Sequence, residues 1–350
     1  MKSRALAGLV CVLSIVAAPA PAQAQTKELF LYNWSNYMPP DLLKRFEAET
    51  GIKVTLDTYD SNETMLAKIQ AGGGGYDVVV PSGPTVQTMI RDKLLIEIDA
   101  GKLDNFKNVR EPFDHPDFDP ARAYSVPYMW GITAIAYDTA KVAGGAKLEN
   151  SWKELFEPRP ELVGKIGMLK DVGEVIGAAA HYLGYDYCTA NPQEGQKILE
   201  LLEKQKPAVK LYNSEGTVDR VGSGEVAMQQ MWNGSFHRAH KKLATIAYIF
   251  PKEGMNLWGD NLVVPKGAKN VESAKIFINW MLDPKNAAEA SNFTGYNNAI
   301  TGADAYLSAE LKADPAINVS PEVTALFRPT KDCPKAALDM HDKIWTRLLR

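Results

Sequence analysis

The sequence predicts an α/β protein of two lobes joined by crossing strands, with a cleft between them. Three observations predict it. Strand and helix signals alternate over residues 28–92. An aromatic and β-branched stretch, residues 124–137, leaves that run. A second α/β series follows, and residues 261–265 read as a strand returning to the first lobe. Open α/β sheets bind ligands beyond the carboxyl ends of their strands.

Each element has its own signal. ELFLYN at 28–33 is a short strand, and PPDLLKRFEAET at 39–50 an amphipathic helix. Leu42, Leu43 and Phe46 face inward there, and Gly51 stops the helix. Residues 52–57 form a strand, 63–71 a helix ended by glycines, and 76–80 (YDVVV) a buried parallel-type strand. A helix spans 85–92. The second series runs helix 151–156, strand 165–169, helix 172–183, helix 192–204 and strand 210–213. A helix at 218–223, strands 226–232 and 245–250, and helices 274–282 and 334–349 complete it.

The chain of 350 residues is 45% hydrophobic and 23% charged, which excludes disordered, collagen-like and coiled-coil classes. Its net charge of -3 shows no basic excess, so a nucleic-acid partner is not expected. Lys2 and Arg4 precede an apolar run, Ala5–Ala18, and the small-x-small site Ala22-Gln23-Ala24. These read as a secretory signal peptide cut after Ala24. A membrane span needs about 20 apolar residues, and Pro19 and Pro21 break this run. Cleavage removes two cations and brings the net charge to -5. Cys188 and Cys333 remain, and an exported compartment permits a disulfide between them.

Several chemistries lack support. AGGGGY at 71–76 follows a helix and has no GK[ST], so it reads as a helix cap and turn, not a phosphate loop. His237 and His240 are three apart with no glutamate base, which fits a solvated basic helix end better than a zinc site. No GxSxG elbow appears. Neither catalysis, a metal nor a cofactor is expected.

The informative residues are aromatics beside polar or acidic groups in predicted loops. They are Trp34-Ser35-Asn36-Tyr37, Asp171 with Glu174, Trp232 with Ser235, Trp258 with Asp260, and Tyr296. Taken singly, each Trp reads as core packing and each loop Asp as a helix cap. Five such sites at loop ends expected to face one cleft point elsewhere. Aromatic faces attract ammonium groups by roughly 0.5–2 kcal/mol each, and a desolvated carboxylate adds a charge-assisted hydrogen bond. The combination suits a flexible aliphatic amine.

The chain resembles the periplasmic polyamine-binding proteins, the spermidine/putrescine receptors of bacterial ABC importers. The motifs are LYNWSNYMP at 31–39, YDVVVPSG at 76–83, VPYMWGITAIAYD at 126–138, AMQQMWNGS at 227–235, WGDNLVVPKGAKN at 258–270 and AKIFINWMLDP at 274–284. The resemblance implies a type II-like periplasmic binding fold that closes on its ligand. It implies a periplasmic, monomeric protein that serves an inner-membrane permease, with chemoreception a further use of the same fold. Trp34, Trp232, Trp258 and Tyr296 match the aromatic box. Ser35, Tyr37 and Ser82 match polar contacts on the first lobe, and Asp171, Glu174 and Asp260 match the ammonium-binding carboxylates.

The expected division is 1–24 signal peptide, 25–130 first lobe, 131–257 second lobe and 258–315 return to the first. Residues 316–350 then form a helical segment packed on the second lobe. Two positions depart from the family pattern. Asn36 stands where the family usually has a carboxylate, and Ser235 where putrescine receptors have Asp. An ω-amino acid such as 4-aminobutyrate is therefore the alternative ligand. His237 or Arg238 would hold its carboxylate if turned inward.

Overall fold

The computed structural model describes residues 27–72, 74–142 and 147–350, so the expected targeting segment lies outside the described residues. Parallel strands β1 (Glu28–Trp34), β2 (Lys53–Tyr59) and β3 (Val78–Val79) open the first lobe, in the order β2-β1-β3. β1 is buried on both faces, as parallel strands under helices are. Leu29 and Leu31 enter the main core of this lobe, while Tyr32 packs on the other side with Tyr59 and Tyr76. Helix Pro40–Thr50 buries Leu42, Leu43 and Phe46 and ends at left-handed Gly51, as its pattern predicts.

β4 (Ser125–Asp138) carries the chain between lobes. It is followed by β5 (Ile166–Met168), β6 (Val209–Tyr212), β7 (Met228–Trp232) and β8 (Ile246–Ile249). β9 (Met255–Val263) then runs back. Residues 125–132 of β4 pair antiparallel with β9, and residues 133–138 pair with β7 and β8. Two adjacent antiparallel strands thus connect the first-lobe sheet to the second. β10 (Asn297–Asn298) and β11 (Phe327–Pro329) add to β4 and β9.

β9 begins six residues before the predicted return at Asn261. The sequence hides this start because Gly259 and Asp260 interrupt the apolar pattern, and Asp260 is polar because it faces the cleft. β3 is likewise shorter than the predicted strand 76–80. Asp77 still donates its N–H to the Phe30 carbonyl, but its carboxylate turns to accept from the backbone N–H groups of Phe30, Lys269 and Asn270.

Each lobe has its own core. Phe46, Phe277, Ile278 and Leu262 centre the first, and Trp152, Phe156, Ile176 and Leu202 the second. The last helix, Lys335–Leu348, inserts Ile344 and Leu348 into the second core. Cys188 and Cys333 form a disulfide that ties the loop before this helix to that lobe. Among the described residues no helix is long and apolar enough to cross a membrane.

Candidate ligand-binding site

The cleft between the lobes holds a cavity of about 670 Å³. All twelve sequence-predicted site residues line it: Trp34, Ser35, Asn36, Tyr37, Ser82, Asp171, Glu174, Trp232, Ser235, Trp258, Asp260 and Tyr296. They come from the carboxyl ends of β1 and β7, the middle of β9, and three turns or helix starts.

Local structure explains each placement. β1 ends in a turn where Asn36 has a left-handed φ of 56°, a conformation asparagine tolerates better than most residues. Trp34 folds back, its Nε1 donating to the Val80 carbonyl at 2.8 Å, and its ring packs 4.7 Å from Tyr59. Asp171 is the N-cap of helix Val172–Leu183 and accepts from Glu174 N at 2.9 Å. That cap sets Glu174 in the first turn, facing the cavity. β9 presents Trp258 and Asp260 on one face of the strand, two residues apart. Trp258 meets Tyr296 edge-on at 5.1 Å, and Tyr296 meets Tyr37 at 5.5 Å. Close approach here requires glycine. A Cβ on Gly131 would lie 2.7 Å from the Trp258 ring, and one on Gly234 would lie 2.4 Å from Tyr296.

The electrostatics of the cavity are dominated by buried carboxylates. Asp171, Glu174 and Asp260 are 6–8% exposed, and none has an ion-pair partner among the described residues. Glu174 accepts from Thr133 Oγ1 (2.8 Å), Trp232 Nε1 (3.1 Å) and Asn256 Nδ2 (2.8 Å). Burial, and next the Asp171 charge, still push its carboxyl up to about 7. Asp260 accepts from the Tyr37 hydroxyl at 2.8 Å, yet burial raises it to about 8, with Glu174 and Asp171 adding like-charge repulsion. Asp171 is also raised by burial, against the hydrogen bonds from its own helix start. Three buried carboxylates sharing one cavity are a standing cost that a bound cation would relieve. The ring of Trp258 lines the same cavity, and its Nε1 has no hydrogen-bond partner among the described residues.

One expectation is corrected. The basic helix end at residues 237–242 is not simply solvated. His237 pairs with Asp314 at 2.6 Å, away from the cavity. Arg238 turns inward, donating to Ser235 Oγ at 3.1 Å and to the Asn36 carbonyl at 3.3 Å. The signal was available, because residues three apart on a helix share a face, and Arg238 lies three after Ser235 on helix Asn233–Lys242. Other lining residues had no local signal. Glu63, Tyr187, Asn256, His341 and Asp342 reach the cavity only through tertiary packing.

Contacts across the cleft accompany this geometry. Ser35 Oγ donates to Glu215 at 2.8 Å, and Arg91 pairs with Asp332 at 3.1 Å. Among the described residues no group of three or more His, Cys, Asp or Glu side chains could hold a metal ion.

Two lobes on crossing strands, closing over a cavity of aromatics and carboxylates, define a solute-binding protein. The chain belongs to the bacterial extracellular solute-binding proteins, whose family model matches residues 41–319. It is 34% identical to the putrescine-binding periplasmic protein SpuD of Pseudomonas aeruginosa, over 95% of this chain and 94% of that one. It is 39% identical to the spermidine/putrescine-binding periplasmic protein of Escherichia coli, covering 82% of this chain and 81% of that one. Its fold is similar to that of the TpPotD lipoprotein of Treponema pallidum, with a TM-score of 0.80 and 30% identity over 93% and 100% of the two chains.

Proposed function

We propose that this protein captures a polyamine of the putrescine/spermidine class in the periplasm and delivers it to an ABC importer. It is exported by its signal peptide, acts as a monomer and catalyses no reaction. One observation carries the reading: three buried carboxylates share an aromatic-walled cavity, and among the described residues no side chain pairs with them. An aliphatic ammonium supplies the missing charge, and its methylenes suit the faces of Trp34, Trp232, Trp258 and Tyr296. The relatives named for putrescine and spermidine support the same ligand class. We take residues 25–130 and 258–315 as one lobe and 131–257 with 316–350 as the other. Ligand favours closure because Asp171 and Glu174 come from the second lobe, and Tyr37 and Ser82 from the first. Only the closed form assembles the whole box.

Asp260→Asn is expected to weaken diamine binding by about 1–3 kcal/mol. Trp232→Ala weakens it as well, by removing one wall and a donor to Glu174. Titration calorimetry with putrescine and spermidine measures both, and unchanged affinity in both variants overturns the site assignment.

Arg238 favours a second reading. A guanidinium at the Ser235–Asn36 end, with Nε unpartnered, suits a ligand carboxylate opposite the acidic group. The ligand would then be an ω-amino acid. Arg238→Ala discriminates: 4-aminobutyrate binding is lost under this reading, whereas diamine binding is kept or improved if the ligand is a polyamine.

A further inference from the structure

The cavity continues past the aromatic box, away from Arg238. Asp260, Glu174 and Asp171 lie within one another's fields, and Asp171 faces Glu63 on helix Asn62–Gln70. Asp342 on the last helix lines the same cavity and adds a like charge in the field of Glu63. Five carboxylates thus follow one another along a single cavity that three separate parts of the fold enclose. Tyr187 stands at the junction, its hydroxyl in the field of Asp171, Glu174, Glu63 and Asp332.

A file of carboxylates is not by itself a site. His341 lines this end of the cavity and is 3% exposed, and its Nε2 has no hydrogen-bond partner among the described residues. Burial holds its imidazole below the usual histidine range, which favours the neutral ring, whose unprotonated nitrogen is an acceptor. The cations nearby are already engaged: Arg91 pairs with Asp332, and Lys331 with Asp186. At the opposite end Asn36 and Ser235 are neutral, Arg238 repels an ammonium, and the Glu215 carboxylate is already engaged by Ser35 Oγ. The volume of about 670 Å³ is in the range of drug-sized ligands, far more than a short diamine fills.

We propose that Glu63 and Asp342, beside His341, form a distal ammonium subsite that takes the far nitrogen of a linear polyamine longer than a diamine. This rests on the polyamine reading of the main box. The proximal ammonium lies among Asp171, Glu174 and Asp260, and the chain passes Tyr187 to reach the distal pair. Glu63 and Asp342 are exposed at the rim, so their contribution is screened by salt more than that of the buried set.

The test is calorimetric titration of the mature protein and its Glu63→Gln/Asp342→Asn variant with putrescine and with spermine, at low and at high salt. Both positions are exposed, so folding is not at risk. The variant is expected to lose roughly fivefold or more in spermine affinity at low salt, less at high salt, and to bind putrescine within about twofold of the parent. A second variant, His341→Phe, keeps an aromatic ring beside Tyr187 and is expected to weaken spermine alone. Spermine affinity unchanged in both variants overturns the distal subsite while leaving the main box intact. Equal loss for putrescine and spermine also overturns it, by showing a general field. If the parent binds neither amine, the polyamine reading itself fails, and this inference with it.

Discussion

Glu174→Gln weakens amine binding by more than an order of magnitude and at the same time leaves the ligand-free protein as stable as before, or more so. Glu174 is buried, and it accepts from Thr133, Trp232 and Asn256, so its position is fixed before a ligand arrives. An ammonium placed against it forms a desolvated, charge-assisted pair. Removing one member of such a pair costs about 2–5 kcal/mol of binding, a loss of roughly 30-fold to several-thousand-fold in affinity. In the empty cavity the same carboxylate is a liability, because burial and Asp171 oppose its ionisation. Glutamine keeps the shape and removes the charge. Calorimetry with putrescine gives the affinity, and thermal unfolding without ligand gives the stability. A variant that loses stability and binding in parallel would make Glu174 a structural residue.

The second large effect is on pH. In the ligand-free protein burial pushes Glu174 up to about 7 and Asp260 up to about 8. Carboxylates in the unfolded chain titrate near 4. Between those values the native state holds protons that the unfolded chain has released, so stability falls as pH rises from about 5 to 8. The protein without ligand therefore melts at a lower temperature at pH 8 than at pH 6, each kcal/mol being worth roughly 2–4 °C in a domain of moderate size. A cationic ligand stabilises the ionised forms and reverses the trend. Amine affinity rises over the same interval, and binding releases protons, so the observed heat changes with the ionisation enthalpy of the buffer. An affinity that is flat from pH 6 to 8 contradicts this assignment of charge.

Much of the fold was legible in the sequence because local signals agreed with tertiary roles. Asp171 before an apolar helix reads as an N-cap, and Gly51 reads as a helix stop; both act so. The site was legible where function leaves polar and aromatic residues at strand ends, as at Trp34–Tyr37 and Trp232. The start of β9 was obscured for the same reason, since Asp260 breaks the apolar pattern that marks a buried strand. Residues that reach the cavity from afar carry no such mark. Glu63 sits on an ordinary amphipathic helix, and His341 and Asp342 on another, more than 150 residues from Asp171 in sequence. Only the docking of the last helix on the second lobe, with the Cys188–Cys333 bridge beside it, brings them to the cleft. Arg238 lies between these cases: the sequence offers it and His237 equally, and only the helical phase with Ser235 selects Arg238.

The most direct measurement is the thermal midpoint of the mature protein at pH 7.5, screened against diamines, longer polyamines, ω-amino acids and uncharged diols of matched length. Ligands that bind only the native state raise the midpoint by mass action. The account predicts that amines raise it in a saturable way, that matched diols do not, and that Glu174→Gln reduces the effect. A protein indifferent to every amine, or stabilised equally by the diols, would contradict the claim that its buried carboxylates exist to hold an ammonium.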